Sequence, residues 1–207
     1  MAKLALNKSS LAKENAQLSE YKRFLPSLEL KRLQIMAERA RAKEQAARLE
    51  RDYEDRFTDI AQSLPMLANQ HVPLEGLVRL KSVSHGEQNL SGTKLPVLEN
   101  VDVAVEPYSL LARPHWVDPY VEGMKELLRL NQEREVARER IAKLIEAEAV
   151  ISRRVNLFEK VLIPRAEKNI KKIRMALADA ERDAVVRAKI AKRKTAARAA
   201  DGRLADL

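Results

Sequence analysis

The sequence predicts a mainly α protein, a long antiparallel two-helix coiled coil of N- and C-terminal helices with a central β-hairpin and loop region. Three observations predict it. Charged residues are 33% of the 207-residue chain, aromatics 4%, and there are only five glycines, the bias of long helices rather than of a compact globule. Helix breakers cluster: Pro65, Pro73, Pro96, Pro107, Pro114 and Pro119, with Gly76, Gly86 and Gly92, all lie between residues 65 and 120. On either side of that stretch, apolar residues recur in steps of three and four. The chain therefore reads as an N-terminal coiled-coil helix (1–64), a central hairpin and loop region (65–116), and a C-terminal coiled-coil helix with a basic tail (117–207).

The first helix is expected from about residue 8 to about 64. Leu11, Leu18, Tyr21, Leu25 and Leu28 form its seam, which resumes at Tyr53, Phe57, Ile60 and Leu64. Between them, "RARAKEQAAR" (39–48) offers only alanine, which allows close approach but buries little area. Pro26, inside the periodic stretch, predicts a kink or a short break.

The middle changes period. In "KLPVLENVDVAVE" (94–106), Leu95, Val97, Val101, Val103 and Val105 share one face of a strand, interrupted by Glu99. "LVRLKSV" (77–83) is its expected partner, and "SHGEQNLSG" (84–92) has turn composition. The hairpin is expected to crown the end of the helix pair remote from the termini.

The second helix is expected from about 117 to about 198. Ile141, Leu144, Glu148, Ile151, Val155, Phe158 and Leu162 alternate steps of three and four, a heptad seam. Two four-residue steps then follow, through Ala166 to Ile170, before the pattern resumes with Ile173 and Leu177. One extra residue has entered the phase beside Pro164. Because the seam resumes, the helix should continue through the proline. The missing N–H leaves the Lys160 carbonyl without its usual donor, so a bend is expected near 160–164, convex on the proline side. The two helices, about 85 Å and 120 Å long at 1.5 Å per residue, would bury their stripes by folding back on each other.

Chemistry of an enzymatic kind is not written in the chain. There is no cysteine, which removes disulfides and thiolate metal sites. His71, His85 and His115 read as loop histidines without ligand spacing, and no phosphate-binding glycine loop or hydrolase motif occurs. Glu148 on the seam reads as a salt-bridge partner, and Trp116 as a packing anchor where the second helix begins. No catalytic, metal or cofactor-binding residue is assigned. No apolar run is long enough to span a bilayer, and "MAKLALNKSS" lacks a signal-peptide core, so a cytoplasmic protein is expected.

The net charge of +9 is concentrated at the end of the chain. Residues 187–207 hold seven basic groups (Arg187, Lys189, Lys192, Arg193, Lys194, Arg198, Arg203) against Asp201 and Asp206. Nucleic acid is one reading of such a tail, but no aromatic residue interleaves with it. A solvated or protein-facing basic helix is the reading adopted, with no nucleic-acid partner expected.

Arg153-Arg154-Val155-Asn156, then Glu159, then Ile163-Pro164-Arg165 and Ile170, resembles the C-terminal helix signature of the D subunit of V-type rotary ATPases and ATP synthases. "SGTKLPVLENV", with Gly92, Leu95 and Pro96, is similar to that family's central stretch, and "RFLPSLELKRLQI" resembles its bacterial branch. Near this N-terminal stretch the chain departs from the family's commoner pattern of closely spaced basic residues, keeping only Lys31-Arg32.

The resemblance implies a non-catalytic central rotor shaft that couples nucleotide turnover to ion translocation. The implied partners are the A and B subunits of the nucleotide-binding ring, the small F subunit of the stalk and a funnel-shaped adaptor on the membrane rotor. It also implies a position peripheral to the membrane. Lys189, Lys192, Arg193 and Lys194 would form the axle tip facing the ring. Arg153, Arg154, Asn156, Glu159, Pro164 and Arg165 would form the signature and kink, and Gly92, Leu95 and Pro96 the docking point for stalk partners. Two other readings stay open on the residues alone: a prefoldin-like chaperone arm, which would expose an apolar rather than a basic tip, and a nucleic-acid-binding helical hairpin.

Overall fold

The computed structural model describes residues 4–68, 72–109 and 113–205, with the backbone alone at Ala68 and 197–205. His71 and Asp206 lie outside the described residues, as do the side chains of Arg198, Asp201 and Arg203. In chain order the elements are α1 (Lys8–Ser63), a 3-10 turn (Pro65–Ala68), β1 (Val78–Leu90), β2 (Thr93–Val105), α2 (Val117–Leu157), a π-helical turn (Phe158–Leu162) and α3 (Ile163–Ala205). The fold is the antiparallel two-helix coiled coil with a central hairpin. Its residues group into two compact units, 30–152 and 1–29 with 153–207.

Local chemistry sets the helix limits. Asn7 caps α1, its Oδ1 accepting the Ser10 N–H at 2.7 Å. Pro65 follows the last turn, where the Leu64 N–H still donates to the Ile60 carbonyl. Pro119 sits in the first turn of α2, where a missing N–H removes no intrahelical bond. Pro26 breaks nothing, and α1 runs through it. Both Pro26 and Lys22, whose carbonyl loses its donor, are exposed, so water can satisfy that carbonyl.

In the 30–152 unit, Ile35, Ala42 and Ile60 of α1 and Leu127, Val136, Ala137, Leu144 and Ile151 of α2 are buried. Ion pairs fix the antiparallel direction: Arg39–Glu148 at 2.7 Å, Glu38–Arg140 at 2.6 Å, Glu50–Arg134 at 2.9 Å and Arg56–Glu126 at 2.7 Å. From Arg39–Glu148 through Glu50–Arg134 to Arg56–Glu126, the α2 number falls as the α1 number rises. Glu148 is thus the salt-bridge partner its seam position suggested. Phe57 is not on the seam, being 57% exposed. Arg56 takes that step half-buried, reaching Glu126, so the true seam runs one residue earlier there than the apolar pattern indicates. Ile60, Leu64, Leu77, Trp116, Val117, Val121 and Leu127 form one core where the chain enters and leaves the hairpin, and Trp116 packs there as an anchor. Gly123 is needed at this crossing, because a Cβ on it would lie 2.9 Å from Ile60 Cγ1.

The strands are longer than their period indicated. β1 continues to Leu90 through most of the stretch with turn composition, and only Ser91 and Gly92 turn the chain. Their φ values of 50° and 84° are the positive pair that a tight type I′ hairpin requires. His85 is therefore a strand residue, paired with Leu98, while His115 lies in the turn before α2. Two bulges, at Lys81 on β1 and at Glu99 on β2, interrupt the ladder. The hairpin does not simply crown the helix end. Ser91 Oγ donates to Gln34 Oε1 at 2.6 Å, so the turn lies far back along α1 while the base joins the Ile60–Trp116 core. Thirteen-residue strands reach about 43 Å at 3.3 Å per residue. Gln34 to Ile60 covers about 39 Å of helix, so the lengths match.

In the other unit, α1 pairs with the last turn of α2, the π turn and α3. Tyr21 meets Phe158 edge to face at 5.5 Å between centroids, Lys22 pairs with Glu167 at 2.9 Å, and Asn169 donates to Glu14 at 3.1 Å. Val155, Ala166, Ile170 and Ile173 are buried, and Phe158, Leu162 and Leu177 half-buried. Each buried valine or isoleucine side chain here contributes about 1.5–3 kcal/mol.

Candidate protein-binding surfaces

The three groups of residues that the sequence marks each have a distinct setting. The central group is split. Leu95 is fully buried and Pro96 buried, so neither offers a side chain to a partner. The strand face carrying Leu95 is turned inward, with Val97, Val101, Val103 and Val105 partly covered. Gly92 alone is exposed, beside Lys31, whose Nζ lies 3.4 Å from where a Cβ would stand. These residues hold the hairpin in place. What remains open is its other face: Arg79, Lys81, Ser82, Ser84, His85 and Glu87 of β1 are all exposed.

Side chains distant in sequence fix that face. Arg140 on α2 donates to Glu38 on α1 and to Gln88 on β1, at 2.6 and 2.9 Å, tying three elements together. Near the turn, Glu87 and Lys94 pair across the strands at 2.7 Å. Their mutual hydrogen bond, then their mutual attraction, lowers the Glu87 pKa and raises that of Lys94. At the base, the Tyr108 hydroxyl donates to Asp118 at 2.6 Å. That bond raises the tyrosine pKa, with burial and the nearby carboxylates adding to it. Between β2 and the helices lies a groove of about 340 Å³, lined by Gln45, Leu49, Val97, Val101, Arg129 and Arg140 among others. Sequence could not find Arg140 or Gln34 as hairpin clamps, because nothing local marks a bond spanning fifty residues.

The signature group lies on the helix around the π turn. Arg153, Arg154, Asn156, Glu159 and Arg165 are exposed, and Pro164 is half-buried just past the turn. The Ile163 N–H donates to the Phe158 carbonyl, five residues back instead of four. This turn is the extra residue seen in the seam: the helix absorbs the phase slip locally as one wide turn. Pro164 follows at once, in a region where the regular ladder is already interrupted. Leu157 and Val161 are also left exposed there.

The basic group stands on α3 after α1 has run out. Every residue from Ala178 to Ala196 is exposed, including Lys189, Lys192, Arg193 and Lys194, and with them Val185, Val186 and Ile190. Among the described residues, no helix is long and apolar enough to cross a membrane, and no cluster of His, Asp and Glu is arranged to hold a metal ion. Two of the three groups thus lie exposed on helix faces, and the third lies mostly beneath the hairpin.

Comparison with known proteins agrees with this architecture. The sequence model of a family described as the D subunit of ATP synthase matches residues 10–193. A V-type ATP synthase D subunit of Borreliella burgdorferi is 33% identical over 192 residues, 93% of this chain and 95% of that protein. One of Chlamydia pneumoniae is 33% identical over 202 residues, 95% of each, and one of Chlamydia muridarum 32% identical over 199, 93% and 96%. A helical coil with a central hairpin, matched along nearly its whole length, places the chain in the D-subunit family of ATP synthases.

Proposed function

We propose that this chain is the central rotor shaft of a V-type ATP synthase, a non-catalytic component that transmits torque between a nucleotide-binding ring and an ion-translocating membrane rotor. The observation that carries the reading is the end of α3. A helix exposed at every residue from Ala178 to Ala196 has nothing to gain from water alone, since isolated helical stretches are marginal. It is suited to a cavity supplied by other proteins of a complex. Lys189, Lys192, Arg193 and Lys194 would be the tip inside the ring of A and B subunits, where charge acts at range without an interlock that would stop rotation.

The exposed face of β1, rather than Leu95 and Pro96, would meet the small F subunit and the membrane-rotor adaptor. The exposed signature residues Arg154, Asn156, Glu159 and Arg165 would face the ring's lower rim. The π turn and Pro164 would give the shaft the bend by which each angle presents a different face. The shaft would work at the cytoplasmic side, peripheral to the membrane.

The absence of cysteine makes the test clean. Thr58→Cys, exposed on α1, carries a bead or fluorophore while the nucleotide-binding ring is fixed to a surface. ATP should drive stepwise, unidirectional rotation of the label. An intact, ATP-hydrolysing complex in which the label stays fixed would refute the shaft assignment.

A further inference from the structure

The charges on α3 are sorted along its length. Lys168, Lys171, Lys172 and Arg174 are followed by an acidic stretch, Asp179, Glu181 and Asp183, with Arg182 its one base. After Ala184, Val185 and Val186 comes a basic stretch without an acid: Arg187, Lys189, Lys192, Arg193 and Lys194. The last two stretches are fully in the exposed part of α3. Their charges are hardly used within the chain. Arg182 lies 3.8 Å from Asp179, and Arg187 Nε donates to the Asp183 backbone carbonyl at 3.3 Å. Among the described residues, Glu181, Lys189, Lys192, Arg193 and Lys194 have no ion-pair partner.

Helical geometry turns each stretch into a band. At about 100° per residue, the five bases are spread around the axis with a largest gap of about 140°, and the three acids spread over about 200°. The band centres, near Glu181 and near Ala191, are about 15 Å apart along the helix. That exceeds the Debye length of about 8 Å at physiological salt, so each band responds to its own surroundings.

We propose that the two bands set the axial position of the shaft, seating in a protein channel whose wall carries a basic belt facing Asp179–Asp183 and, about 15 Å deeper, an acidic belt facing Arg187–Lys194. Because the bases encircle the helix and the acids lie on two opposite sides of it, interaction with such belts varies more steeply with sliding than with angle. Sliding by one band spacing sets like charge against like, while turning in place changes little. The device resists axial slip and permits rotation. It rests on the shaft reading above, and names the chemistry of the surface that receives the tip.

Three full-length proteins test it by association with the purified nucleotide-binding ring across a range of salt. The order-exchanged variant Asp179→Lys/Asp183→Lys/Lys189→Glu/Lys192→Glu conserves net charge. A second variant inserts a helix-forming, uncharged heptad between Ala184 and Val185, keeping the face and widening the spacing by about 10 Å. Both should bind at least tenfold more weakly than the parent at low salt, and the gap should narrow as salt rises. Helix content by circular dichroism controls for the order-exchanged protein, and the heptad variant stands if that control fails. Parent-like binding by a helical order-exchanged protein, or by the heptad variant, would show that only total charge counts and would overturn the bands while leaving the shaft. No binding by the parent would overturn the shaft itself, and the bands with it.

Discussion

Deleting Pro164 should stabilise the protein, although removing one residue from a long helix ordinarily turns everything beyond it by about 100°. The seam steps by seven from Ile151 to Phe158, but by eight from Phe158 to Ala166, and the π turn at Phe158–Leu162 is where the surplus is taken up. Without Pro164, Leu162 would be followed at three residues by Ala166, and Ile170 and Ile173 would fall on an uninterrupted heptad. The buried positions, Val155, Ala166, Ile170 and Ile173, would all be kept, and the wide turn would close to ordinary α-helix.

The gain combines one recovered backbone bond, about 0.5–1.5 kcal/mol, with relief of part of the roughly 3 kcal/mol penalty of an interior proline. About 1–3 kcal/mol is expected, raising the melting temperature by some 2–4 °C per kcal/mol for a chain of this size. Pro164→Ala relieves the proline penalty as well but keeps the surplus residue, so it should retain the wide turn that the deletion closes. Deleting Lys143, which lies in regular α2, should instead misphase Leu144, Ile151 and Val155 and cost about 5 kcal/mol or more. Thermal melts by circular dichroism give the stabilities, and amide exchange over 159–166 reports the turn. A Pro164 deletion as damaging as the Lys143 deletion would refute the idea that the wide turn exists to absorb one surplus residue.

Other outcomes follow from the same packing. Gly123→Ala should destabilise by about 1–3 kcal/mol, because its methyl meets Ile60. Urea titration should show partial recovery with Ile60→Val, and no recovery would place the strain elsewhere. Tyr108 should ionise above ordinary tyrosine, since the hydroxyl bond to Asp118 is lost on deprotonation. Its contribution to stability is therefore present below the unfolded pKa and lost as pH rises through the folded one. Ultraviolet titration should show a late-ionising tyrosine that moves down in Asp118→Asn. Replacing Lys189, Lys192, Arg193 and Lys194 together with Gln should slow association with the nucleotide-binding ring about tenfold or more at low salt, and flatten its salt dependence. Helix content should hardly change, and stopped-flow rates equal to the parent's would exclude electrostatic steering.

Periodicity and punctuation determined much of this protein. Helix limits near residues 8, 64 and 117 were legible because prolines, the onset of apolar spacing and a change from helical to strand period are local signals. The seam from Ile141 to Leu177 was legible for the same reason, since each of its positions is buried or half-buried and a coiled coil repeats one contact along its length. The surplus residue beside Pro164 could be counted from sequence, but not the form it takes. Supercoil change, bend and π turn all absorb a one-residue slip, and only packing against Tyr21 and the buried seam selects among them.

Tertiary structure alone decided the place of the hairpin. A strand period identifies an inward face without saying which helices cover it, and the contacts that lay the hairpin along α1, Ser91 to Gln34 and Arg140 to Gln88, join residues more than fifty positions apart. For that reason Leu95 and Pro96, marked by motif as a docking point, turn out to be buried supports. The basic tip was plain in the sequence as charge. That no described residue covers it followed only from seeing where α1 begins.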